Sequence, residues 1–121
     1  MYIWGRLWRR AVSQPIAAAI PRTIVLKLHE LQQLCLPKGL ELVSLMFTKL
    51  LTHFDIVHAH PNNCLTPQGY GDLLVPPVLE VTLLRKDRSR TRKPIESFPH
   101  ALDRTNVPKL PDFSLPACWY K

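Results

Sequence analysis

The sequence predicts an α/β fold: a mixed sheet of about three strands, one main crossover helix and a proline-rich tail. Three observations carry this expectation. Two aliphatic, β-rich runs, Thr23–Leu28 and Val78–Leu84, bracket the middle of the chain. Between them, apolar residues recur at helical spacing from Leu40 to Leu51. Finally, 12 prolines in 121 residues keep every element short.

Residues 1–22 read as a basic, helix-like segment interrupted by Pro15, in which Arg6, Arg9 and Arg10 precede the first acid, Glu30. Such an arginine-rich, acid-free start also fits a mitochondrial transit peptide. The expected location is therefore cytoplasmic, with mitochondrial as the alternative. Residues 23–28, TIVLKL, predict a buried strand with Lys27 at its end. Pro37–Lys38–Gly39 is punctuation. Residues 40–52 predict the helix: Leu40, Val43, Phe47 and Leu50 form a stripe, Met46 and Leu51 widen it, and Lys49 and His53 suit its negative pole. A strand follows over 54–59, ended by Pro61. A turn-rich loop with a short edge pairing at 73–75 leads to the strand at 78–84. A helix between two strands implies a parallel pair, and the last strand then pairs antiparallel. Residues 23–84 form the predicted domain, and 85–121 form a basic run and a tail lying over the surface.

Composition excludes several classes of function. Hydrophobic residues are 46% of the chain, too many for general disorder. Three scattered cysteines make no disulfide framework, and no CxxC pair offers a zinc knuckle. No apolar run approaches the roughly 20 residues of a membrane span. Four glycines, none in a GxGxxG or Walker pattern, leave no phosphate cradle. The net charge of +7 is concentrated at residues 1–10 and in RKDRSRTRK at 85–93. Arg85, Lys86, Arg88, Arg90, Arg92 and Lys93 are thus the candidate contact for an anionic partner. No aromatic residue is interleaved with them to stack on a single strand of nucleic acid.

The densest polar cluster is His58, His60, Asn62, Asn63 and Cys64. On a strand, His58 and His60 point to one face. They could share a metal with His29, but no carboxylate at a fixed spacing completes the set, so no metal site is expected. In open α/β sheets, ligands sit beyond the carboxyl ends of the strands. That rule makes His29, His58 and His60 the candidate catalytic groups, and Asn62 and Asn63 the candidate substrate-binding groups. The alternative is that the asparagines only make the turn after Pro61. Cys64 as a nucleophile lacks an oxyanion hole and a third partner, and Cys35 and Cys118 read as packing residues.

The segments HFDIVHAHPNNC and GYGDLLVPPVLEVTLLRKD, with the ending FPHALDRTNVPKLPDFSLPACW, resemble the carboxyl-terminal half of FkbM-like, S-adenosylmethionine-dependent methyltransferases. The resemblance covers residues 23–121. It rests on an ordered succession: a strand ended by a histidine, a helix, a strand running into His–Pro–Asn–Asn, a β excursion, and VLEVTLLR. It implies part of a Rossmann-like, doubly wound methyltransferase domain acting on a small-molecule substrate. The glycine-rich, cofactor-binding half has no counterpart. Where the family carries acids, MYIWGRLW keeps Ile3, Gly5 and Trp8 but has Tyr2, Trp4 and Leu7, and Lys27 replaces a glutamate. The cofactor implied is S-adenosylmethionine, with no binding expected of this chain alone. A non-catalytic interaction or basic binding module, or an organellar small subunit, is the alternative.

Overall fold

The computed structural model describes residues 20–96 and 98–119. The predicted helix-like segment falls almost wholly outside them. The described chain is α/β, with a three-stranded antiparallel sheet, a two-stranded hairpin and one α-helix.

Strand β1, Thr23–His29, alternates exposed and half-buried residues along its whole length. It is amphipathic rather than buried, and Lys27 lies within it on the polar face rather than at its end. Glu30 leaves the strand in a left-handed conformation at φ 56°. One turn of 3-10 helix, Leu31–Cys35, follows, with Leu31 buried. Helix α1, Pro37–Leu50, starts at the supposed punctuation. Proline is suited to the first helical turn because its missing N–H would be unpaired there anyway. Gly39 is required by a close approach: a Cβ there would overlap the backbone carbonyl of Gln33. Phe47 and Leu50 turn to the core, whereas Leu40, Leu42 and Leu45 are exposed.

Strand β2 is Phe54–Pro61, β3 is Gln68–Tyr70, β4 is Leu73–Val75 and β5 is Val78–Arg85. The hairpin β3–β4 turns at Gly71, whose φ of 59° suits glycine. The sheet order is β1–β5–β2, and both ladders are antiparallel. The expected parallel pair does not form. β1 and β2 run in the same direction, joined through α1, but β5 lies between them. The most continuously apolar strand, VLEVTLLR, takes the centre, where both of its edges are paired.

Register assigns the faces. Ile24, Leu26 and Leu28 oppose Leu83, Val81 and Leu79 on the apolar face. These join Phe54, Leu31, Val75 and Leu115 in the core, with Phe47 and Leu50 of α1 packed against it. Thr82 and Glu80 lie on the other face, opposite Val25 and Lys27 of β1 and opposite His58 and His60 of β2. A bulge at Val57 makes this possible: Ile56 pairs with Leu83, but His58 pairs with Thr82. Because side chains alternate with period two, one extra residue reverses the faces of everything after it. Phe54 and Ala59 thus both reach the core, while Asp55, His58 and His60 share the polar face.

The tail is part of this domain rather than a separate covering. Its Leu115 is buried in the core, Phe98, Phe113 and Trp119 pack against it, and the Trp119 indole donates to the Leu74 carbonyl at 3.1 Å. Among the described residues, no helix is long and apolar enough to cross a membrane.

Candidate functional site

The polar face of the sheet carries one connected network. Lys27 Nζ lies 3.4 Å from Glu80 Oε1, directly across the β1–β5 ladder. The same oxygen accepts from Asn62 Nδ2 at 3.3 Å and from Asn106 Nδ2 at 3.5 Å. Asn106 Oδ1 then meets His60 Nε2 at 2.9 Å. On the far side of the ring, His60 Nδ1 lies 3.5 Å from Asp103 Oδ2, and Asp103 Oδ1 lies 2.9 Å from His58 Nε2. The Asp103 carboxylate also accepts the backbone N–H of His100 at 2.7 Å. The rings of His58 and His60 stack with centroids 6.3 Å apart, and His100 stands edge-on to His58 at 6.0 Å. His60 is 7% exposed, and the Asp103 side chain 5%.

β2 supplies the two imidazoles at i and i+2, as its period requires. The carboxylate comes from the tail, 43 residues after His60 in the chain, where no local spacing could point to it. His29 lies on the same face, at the same end of the sheet, opposite Val78. It stands about 9–10 Å from β2, across the intervening strand, and is not part of the cluster.

Asn62 and Asn63 are each 5% exposed, and their amides hydrogen-bond the chain itself. Asn62 Oδ1 accepts the Cys64 N–H at 2.9 Å, the turn-forming contact of the alternative reading. Asn63 clamps the tail: its Oδ1 accepts the Val107 N–H at 2.9 Å, and its Nδ2 donates to the carbonyls of Val107, Leu110 and Pro111 at 3.0–3.3 Å. The amides are turned neither towards His29 nor into a pocket shared with it. Cys64 is exposed and Cys35 half-buried, while Cys118 is exposed, which does not fit a packing residue.

The basic run is folded onto the domain. Lys86–Arg88 form a 3-10 turn. Arg85 Nε pairs with Asp87 Oδ1 at 2.7 Å, and Arg92 Nε with Asp55 Oδ2 at 2.7 Å. Lys86 Nζ donates to the Leu51 carbonyl at 2.6 Å. The Arg85 hydrogen bond and charge hold the Asp87 carboxyl below its ordinary range, and Asp87 in turn raises Arg85. Arg90 and Lys93 have no partner among the described residues. The segment borders a groove of about 600 Å³ along the free edge of β2, where Ile56 and Val57 are exposed.

Comparison with protein families, with curated proteins and with solved structures gives no match.

Proposed function

We propose that residues 23–119 are the carboxyl-terminal part of an FkbM-like, S-adenosylmethionine-dependent methyltransferase domain, inactive by itself. The observation that carries this reading is the sheet: two strands running in the same direction, joined through a helix, with an open edge on β1. A doubly wound sheet is built from such units and would continue at that edge. The exposed Leu40, Leu42 and Leu45 of α1 and Val25 of β1 are apolar surface that a continuing layer would cover. The succession of elements also follows the order on which the resemblance rests.

The described residues do not fit the cofactor. The amides of Asn62 and Asn63 are committed to the chain itself. Gly69 and Gly71 belong to a hairpin rather than to a strand-to-helix turn. No step of methyl transfer is assigned to them. The basic binding alternative has less support, because carboxylates and a carbonyl already engage Arg85, Lys86 and Arg92.

Transcript sequencing across the Met1 codon tests the reading. An open frame running upstream into a glycine-rich cofactor loop is expected, and in-frame stop codons on every transcript would overturn it. Calorimetric titration of the 121-residue chain with S-adenosylmethionine tests the inactivity. A dissociation constant tighter than about 100 μM, roughly 5.5 kcal/mol of binding, would restore the fragment as a cofactor-binding unit.

A further inference from the structure

We propose that His58, His60 and Asp103 form a binding site for a divalent transition-metal ion of the zinc class. Each of the three offers a ligand atom within 4.8 Å of those of the other two, and His58 Nε2 and His60 Nδ1 are the nitrogens that face the Asp103 carboxylate. The observation that points to a ligand is His60 Nδ1. It is buried and has no hydrogen-bond partner among the described residues.

The surrounding network fixes what that atom is. Asn106 Nδ2 faces the Glu80 carboxylate, which accepts only, so the amide cannot be flipped and its oxygen must face His60. His60 Nε2 is therefore the N–H, donating to Asn106 Oδ1. In the neutral ring, Nδ1 is then a bare lone pair, aimed at an Asp103 oxygen 3.5 Å away. Two acceptors facing each other in a buried site repel unless a cation sits between them.

Two imidazole nitrogens and one carboxylate suit zinc or iron(II), with bonds of about 2.0–2.2 Å. Ligand atoms around such an ion stand a little over 3 Å apart, close to the 2.9 Å from His58 Nε2 to Asp103 Oδ1 and the 3.5 Å from His60 Nδ1 to Asp103 Oδ2, one ring facing each oxygen. His60 already has the outer hydrogen bond that metal-bound histidines carry on their second nitrogen. His100, whose Nδ1 accepts the Leu102 N–H, is not among the gathered ligand atoms, so a water would take the fourth position. On binding, His58 exchanges its 2.9 Å contact with Asp103 for the metal, moving any proton on Nε2 to Nδ1 or to solvent. The ion would fasten the tail to β2.

The test is titration of the full chain with Co²⁺ and with Zn²⁺, followed by absorption and calorimetry. One equivalent is expected to bind with a dissociation constant tighter than about 10 μM. Visible cobalt bands should appear without the thiolate charge-transfer band that Cys35, Cys64 or Cys118 would add. Asp103→Asn, nearly isosteric, and His60→Ala should each weaken binding at least 100-fold, and Asn106→Ala about 10–100-fold, as second-layer losses do. His29→Ala and His53→Ala should bind as the parent does. Absence of binding in the folded parent would overturn the proposal, as would binding that survives Asp103→Asn. So would nitrogen chemical shifts showing the His60 ring doubly protonated at neutral pH and unchanged by Zn²⁺, since a proton would then fill the gap.

Discussion

Asn63 has the most committed side chain in the described chain. Its amide makes four hydrogen bonds to the tail and is almost fully buried. Removing it leaves the Val107 N–H and three carbonyls without their partner, at a desolvation cost of about 1–3 kcal/mol. Asn63→Ala is expected to lower stability by about 2–3 kcal/mol in denaturant unfolding, and a change within 0.5 kcal/mol would show that the clamp carries little. Asp87 gives a pH signature instead. Its carboxyl titrates lower when folded, because Arg85 holds the charged form. The pair's contribution is therefore complete above the unfolded carboxylate value, about 3.9, and is lost as pH falls through the lower folded value. Asp87→Asn should flatten that part of the acid-unfolding profile by removing the contribution present at neutral pH, and leave stability below the folded value nearly unchanged. The residue types at 58–63 marked out a polar cluster from the sequence alone, because alternation on a strand is a local property. Asp103 was not legible there: its contact with His58 depends on how the tail crosses the sheet, and no periodicity encodes that path.

At the scale of elements, the strands and the helix were readable because aliphatic runs and a stripe of period 3.6 are local patterns. Two features were not. Pro37 and Gly39 look like a loop by composition, yet the helix begins there, since proline fits the first turn and the glycine only makes room for the Gln33 carbonyl. Gly39→Ala forces that backbone apart and is expected to cost more than about 2 kcal/mol, although alanine is the better helix former elsewhere by about 1 kcal/mol. A stabilised variant would show that the approach is not tight. The other feature is the Val57 bulge. Phe54, Ile56, Ala59 and Pro61 break strict alternation by one step, and that single step is the only trace of the bulge in the chain. Deleting Val57 would restore regular pairing and leave His58 opposite Thr82 and His60 opposite Glu80, still on the polar face. The deletion variant should therefore still unfold cooperatively, and Val57→Ala, which keeps the bulge, should cost less than about 1 kcal/mol. Loss of the cooperative transition on deletion would show that β2 and β5 are not paired in this register.

For the molecule as a whole, chain order did not reveal sheet order. The sequence places β5 last, and only its paired edges place it centrally. The two faces are then closed by different means. Helix α1 and the apolar side chains of the tail close one, while Asp103 and Asn106 of the tail meet the other with polar groups.

That second closure has a consequence for the order in which the molecule opens. Contacts such as His60–Asn106 and Asn63–Val107 join residues more than 40 positions apart. They can form only after β2 and β5 have paired, since the sheet creates the surface on which the tail lands. Polar contacts laid on the surface of a formed sheet, with few buried apolar partners of their own, open at lower free energy than the ladder beneath them. The tail should therefore open as a unit while the sheet persists. In native-state hydrogen exchange, the Val107 amide is expected to exchange by a sub-global opening well before Val81 and Leu83. Exchange of all three with one common free energy would show that the tail and the sheet unfold together.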